Sequence, residues 1–387
     1  MNSVPGAVLE YFFGESAKDI EISALGDKGN VCLLKKGEDK YVLKWYEGDT
    51  KSSAQLNQEV ISFLQDTGYD AAFRPLSELS TAGARSECFS LEDSSWFLRE
   101  YVPADSEYDW LDCDLEPDYC REAGRLLGKL HRATELSDRG RERAECEQRF
   151  PLVFENKPEA SLEAIEEDMP LALEILVNYA GEKGLEDFTG MAKGSPYFPD
   201  AVYRSFDGMA GVLHNLDPDE STRLLHYLEE ATVLNHGDYH PGNVIFQNGK
   251  AQAMIDLDYA YFGPPINDIA YGFFMFVSGR KADGIYQEDE DIRYKAKAYL
   301  QGYFSETVGD VPLKAVAPML YELLVFEMYR ASCLTLVWLV DSLVPLGEDG
   351  EPSEARPKLS EEVAKKHYNA ALYCISSMRM LVGGGGS

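Results

Sequence analysis

Leu234-Asn235-His236-Gly237-Asp238-Tyr239-His240-Pro241-Gly242-Asn243-Val244-Ile245-Phe246 opens the stretch on which the fold turns. Gln247-Asn248-Gly249-Lys250-Ala251-Gln252-Ala253-Met254-Ile255-Asp256-Leu257-Asp258-Tyr259-Ala260 completes it. Asn-Gly between two apolar runs, Val244 to Phe246 and Ala251 to Ile255, is the strongest short-range signal for a β-hairpin. A hairpin that tight brings its ends together, so Asn243 and Asp256 are expected side by side at one mouth. Asp238 lies in the loop just before. Two oxygen ligands beside a further carboxylate suit Mg²⁺, which takes one or two carboxylates and completes its shell with phosphate oxygens and water.

Blander readings of the same residues exist. Asp, Asn, Gly and Pro all favour turns, which would explain Asp238 or Asn243 singly but not the whole constellation. His236 and His240 have the i, i+4 spacing of a helical zinc pair, yet Gly237 and Pro241-Gly242 deny the helix and no Glu follows the first His. Asp256-Leu257-Asp258 could open a calcium loop, but Tyr261 stands where that loop needs Gly and Asn267 where it needs Glu.

The spacing matches the phosphoryl-transfer layout of the kinase fold. There an Asp orients or deprotonates the acceptor hydroxyl, while an Asn five residues on and a later Asp hold the metals. The wording resembles the aminoglycoside phosphotransferase and choline kinase superfamily, whose usual pattern is His-Gly-Asp-x-His-Pro-Gly-Asn followed by Ile-Asp-Phe/Leu-Asp-x-Ala. That resemblance implies an α+β, bilobal, protein-kinase-like fold: a small β-rich N-lobe with one helix and a larger, mainly helical C-lobe. It implies ATP between the lobes, Asp238 as the catalytic residue, and Asn243 and Asp256 on Mg²⁺.

The chain has 387 residues, enough for two lobes, and 45% apolar content gives them a sizeable core. Residues 1–101 are expected as the nucleotide-binding lobe and 102–382 as the catalytic and substrate-binding lobe. Gly383 to Ser387 reads as an appended linker. The start lacks a secretory pattern, and the most apolar stretch, Val316 to Val344, is broken by Glu322, Glu327, Arg330 and Asp341. A buried helix is the expectation there rather than a bilayer span, and the protein is expected in the cytoplasm, as a monomer or homodimer. Seven dispersed cysteines without CxxC pairs read as reduced thiols. A formal net charge of −31 argues against nucleic acid, which wants a basic face. It would draw a cationic acceptor by long-range steering, although solubility or a salty habitat is the simpler source.

In chain order, Ile20 to Leu25 and Asn30 to Lys35 read as strands around Gly26-Asp27-Lys28-Gly29. In the resembling fold a glycine-bearing turn here lets backbone N–H groups approach ATP phosphates, which makes Gly26 and Gly29 nucleotide-binding candidates. Lys40 to Tyr46 reads as a strand, with Val42 and Lys44 on one face. The resemblance casts Lys44 as the phosphate-contacting lysine and Glu59 as its partner on the following helix, Ser52 to Gln65. Arg85 to Val102 reads as a hairpin turning at Glu92 to Ser95 and stopped by Pro103. The resemblance makes its exit the hinge, with the Glu100 carbonyl and Val102 N–H reading the adenine edge.

A helix is expected from Glu116 to Arg132, with Pro117 in its first turn and His131 as a structural donor. Residues 137–216 are the least readable, with an acidic helix near 159–183. Another helix is expected over Asp219 to Thr232. Asp268 should begin a helix running to about Val277 and tie down the catalytic loop. Further helices are expected near 290–307, 313–343 and 359–381. The implied activity is an ATP- and Mg²⁺-dependent small-molecule kinase acting on a hydroxyl of an amino- or sugar-containing acceptor. A homoserine- or choline-type metabolite kinase, or a kinase-fold coat or scaffold protein, are the alternatives.

Overall fold

The computed structural model describes residues 4–25, 30–47, 51–69, 88–105, 108, 114–136, 140–156, 162–183, 226–228, 230–277, 289–307, 330, 332–344 and 359–383. Gly26, Gly29, most of the expected helices at 219–232 and 313–343, and residues 384–387 lie outside these.

The N-terminal part is a five-stranded antiparallel sheet in the order β1-β2-β3-β5-β4, built from β1 (Glu21–Ala24), β2 (Val31–Lys36), β3 (Asp39–Glu47), β4 (Cys88–Leu91) and β5 (Ser94–Glu100). Period-two alternation sorts β3 into two faces. Leu43 and Trp45 join Val8, Phe12, Leu34, Trp96 and Leu98 in one apolar cluster. Trp45 and Trp96 are register partners and stack with ring centroids 5.0 Å apart. Lys44 and Tyr46 take the opposite face. Helix α1 (Gly6–Phe13) adds to the expected lobe, burying Val8 and Phe12. Helix α2 (Lys51–Thr67) buries Leu56, Val60, Phe63 and Leu64 along the apolar stripe read from the sequence.

The remainder is mostly helical. Helix α3 (Pro117–Thr134) starts with proline at its first position and buries Ala123, Leu126, Leu127, Leu130 and His131. Helices α4 (Gly140–Arg149) and α5 (Pro151–Glu155) fall in the segment the sequence left unreadable, and α6 (Leu162–Lys183) is the acidic helix expected there. Strand β6 (Val233–Asn235) leads into the motif, and the hairpin β7 (Val244–Gln247) and β8 (Lys250–Met254) turns at Asn248-Gly249, both with φ positive. Strand β9 (Tyr261–Gly263) pairs with β6, and α7 (Ile266–Val277), α8 (Asp289–Thr307) and α9 (Glu361–Gly383) follow, with a helical run at 332–343 before α9. The hairpin, α2, α3, α7 and α8 share one large core.

Helices α3 and α8 meet backbone to backbone. A Cβ at Gly124 would collide with the Tyr299 carbonyl, and one at Gly302 with the Arg121 carbonyl. Gly124→Ala should therefore destabilise the protein by about 3 kcal/mol, because overpacking against main chain outweighs the gain of about 1 kcal/mol in helix propensity. Gly181 in α6 has open space around it, so Gly181→Ala should be neutral or stabilising. Urea unfolding of the pair checks the contrast.

Candidate active site

Asp238 sits in a loop tied down from three sides. Gly237 has φ 82°, and a Cβ there would strike the Tyr259 backbone, so the turn requires glycine. The Asp268 carboxylate, in the first turn of α7, accepts the N–H groups of His236 and Gly237 (3.1 Å to the latter). His236 fixes the other side: its Nε2 lies 2.9 Å from the Ile255 carbonyl and its Nδ1 accepts the Asp238 N–H at 3.3 Å. A carbonyl can only accept, so Nε2 carries the proton. Below the loop, the Tyr239 hydroxyl donates to the Ala123 carbonyl at 2.7 Å, which seats the loop on α3. His131 accordingly lies in the support, 2.8 Å from the Tyr303 hydroxyl.

The Asp238 carboxylate is itself held. Its Oδ1 accepts the Tyr271 hydroxyl at 2.9 Å, and its Oδ2 lies 3.3 Å from the Asn243 Nδ2 donor and 3.4 Å from His240 Nε2. Burial would push this carboxyl up, but His240 and the Tyr271 hydroxyl outweigh it and hold the group well below the usual carboxylate range. The sign follows: a depressed folded value contributes stability above the unfolded value of about 4, lost only as pH falls through the folded one. Carboxyl ¹³C NMR should therefore find Asp238 still ionised at pH 4, and Tyr271→Phe should move its midpoint upward.

Asn243 and Asp256 stand at one mouth of the hairpin, as its turn chemistry requires. The Ile255 N–H donates to the Asn243 carbonyl at 2.9 Å, directly before Asp256. Asn243 turns its Nδ2 to the Asp238 carbonyl at 2.9 Å, which points its Oδ1 the other way. Asp256 has φ 63°, a left-handed conformation that non-glycine residues adopt chiefly when Asp or Asn, and one that clusters at functional sites. Among the described residues no group of three or more His, Cys, Asp or Glu could hold a metal alone. One amide oxygen and one carboxylate fit Mg²⁺ completed by phosphate and water rather than a protein-enclosed ion.

Lys44 reaches across from β3. Its Nζ is 2.7 Å from Asp256 Oδ1 and 2.6 Å from Asp258 Oδ2. Burial would lower its pKa, but the two carboxylates raise it, so it remains an ammonium. The expected Lys44–Glu59 pair is corrected here. Glu59 Oε2 accepts the N–H groups of Leu152 (2.8 Å) and Val153 (3.4 Å) and caps α5 instead. Residues two apart on a helix point about 160° away from each other, so Asn57 and Glu59 flank the apolar stripe on opposite sides. Asn57 is the one on the lysine side, donating to Asp258 Oδ1 at 3.0 Å.

Glu100 closes β5 opposite Tyr41, and the Tyr101 N–H donates to the Lys40 carbonyl at 3.1 Å, so Val102 begins the exit from the sheet. That exit docks on the hairpin: the Asp105 N–H bonds the Phe246 carbonyl at 2.7 Å, and its carboxylate accepts Asn248 N–H (2.8 Å) and Gly249 N–H (2.9 Å). Sequence reasoning missed Asp105, Tyr46, Asn57 and Tyr271. Only Tyr271 left a signal, standing one helical turn after Asp268 and so on the same face of α7.

The model of the phosphotransferase enzyme family matches residues 24–303. Two solved structures share the fold. An aminoglycoside phosphotransferase from Alicyclobacillus acidocaldarius is 13% identical with a TM-score of 0.50, over 99% of this chain and 96% of that one. A choline kinase from Cryptosporidium parvum is 12% identical with a TM-score of 0.52, over 98% and 96%. No curated protein matches. Among the described residues no helix is long and apolar enough to cross a membrane.

Proposed function

The chain belongs to the phosphotransferase enzyme family, and from that membership we propose that it transfers the γ-phosphate of ATP, with Mg²⁺, to a hydroxyl of a small amino- or sugar-containing acceptor. The observation that carries this reading is the convergence of Asp238, Asn243, Asp256 and Lys44 from a loop, a hairpin mouth and a strand of the other lobe. Residues 1–101 bind the nucleotide, through Lys44 and the turn bearing Gly26 and Gly29, with Glu100 and Val102 at the adenine edge. Residues 102–382 hold the acceptor and the chemistry.

Asn243 Oδ1 and Asp256 would hold the metal, which when bound neutralises charge on the transferring phosphate. Asp238, kept ionised, accepts a hydrogen bond from the acceptor hydroxyl and aims its oxygen. A carboxylate so acidic is a weak base, so it orients the nucleophile and takes its proton late. Lys44 supplies a fixed positive charge for the phosphates. The net charge of −31 supports a cationic acceptor through steering. Seven dispersed cysteines without CxxC pairs support a reducing, cytoplasmic setting.

An ATP-consumption screen over aminoglycosides, amino alcohols, homoserine and sugars tests the reading, with Asp238→Asn as the blank. Acceptor-dependent ADP release above the blank is the expected result. A panel in which no acceptor exceeds the blank would sink it.

A further inference from the structure

We propose that Asp258 is the residue that positions Lys44 for its phosphate contact, with Tyr46 and Asn57 holding Asp258 in place. The inference rests on the nucleotide site proposed above; it gives a role to Asp258, the second acid of the Ile-Asp-Leu-Asp-x-Ala motif, and adds Tyr46 and Asn57, which lie outside both motifs.

Three donors from the sheet lobe converge on this one carboxylate of the other lobe. Lys44 Nζ meets Oδ2 at 2.6 Å, Asn57 Nδ2 meets Oδ1 at 3.0 Å, and the Tyr46 hydroxyl donates to Oδ1 as well. Lys44 and Tyr46 are two residues apart on β3 and so share a face, while Asn57 comes from α2. Asp258 is thus bound at both oxygens, and its side chain is only 16% exposed. An acid gripped by two neutral donors has one geometry left to offer the ammonium, which fixes the end of a flexible four-carbon chain. Glu59, the other acid within reach of this role by sequence, is committed to the N–H groups of α5. Helix α2 is therefore coupled to Lys44 through Asn57 and Asp258 rather than by a direct ion pair. Because Asp258 follows the hairpin by only four residues, the same contact joins the sheet lobe to the loop carrying Asp256.

The two roles open to Asp258, positioning Lys44 or serving the metal, give different results when ATP affinity is titrated calorimetrically at several Mg²⁺ concentrations. Tyr46→Phe and Asn57→Ala touch no metal ligand. Each should weaken ATP binding about tenfold, the size of a lost hydrogen bond to a charged group, with the Mg²⁺ half-saturation unchanged. Asp258→Asn should weaken it at least as much and should not be rescued by added Mg²⁺. Glu59→Gln keeps an acceptor for α5 and should bind ATP as wild type does. Wild-type affinity in both Tyr46→Phe and Asn57→Ala overturns the inference, as does rescue of Asp258→Asn by Mg²⁺ or an equal loss in Glu59→Gln. If the unmodified chain bound no ATP, the proposed function would fail first; binding by wild type with unaffected variants removes this inference alone. Circular dichroism of each variant separates a lost contact from a lost fold.

Discussion

Asp238→Ala should lower turnover on an accepted substrate about a thousandfold while leaving ATP affinity nearly unchanged, the pattern of a group that acts only on the reacting hydroxyl. The carboxylate touches Tyr271, Asn243 and His240, and none of the contacts on Lys44. Its removal therefore spares the phosphate side of the site. The loop should survive too, because Asp268, His236 and the Tyr239–Ala123 bond hold its backbone independently of the Asp238 side chain. Steady-state kinetics with a calorimetric ATP titration give both numbers. Turnover close to wild type would remove Asp238 from the chemistry.

Asp256→Asn should be the other severe loss, of a different kind. Asparagine tolerates the left-handed backbone found at this position, so the substitution removes charge without forcing the turn to rearrange. Two things depend on that charge: the proposed metal, and the partner of Lys44 at 2.7 Å. Turnover should fall by about two orders of magnitude, the usual cost of one well-placed electrostatic group. The Mg²⁺ requirement should rise and ATP affinity should drop with it. Varying Mg²⁺ and ATP independently in the assay measures this. An unchanged metal requirement would place the metal elsewhere.

The parts of this site that could be read from sequence are those governed by neighbours in the chain. Asn248-Gly249 sets a hairpin by local turn chemistry, and the hairpin alone brings Asn243 to Asp256. Strand alternation made the face of Lys44 legible, opposite Leu43 and Trp45, while its role came from the resemblance carried by the distal motif. Glu59 misled because the stripe Leu56, Val60, Phe63 and Leu64 leaves two flanks equally open. Which flank meets β3 depends on α5, more than ninety positions away. Asn57 and Tyr46 were invisible for the same reason, their partner Asp258 being 201 and 212 residues distant. Asp105 reads as an ordinary loop acid until the hairpin's two free N–H groups are set beside it.

The glycine seam between α3 and α8 has a consequence for how such an enzyme can change its diet. Two main chains that touch without intervening side chains cannot slide by a residue, since the next position along would drive a Cβ into a carbonyl. The Tyr239 hydroxyl rests on one of these helices, and Tyr299 of the other abuts Gly272 beneath the loop. The floor under the reacting groups is thus locked, and whatever selects the acceptor can be rebuilt above it without disturbing how phosphate is handed over.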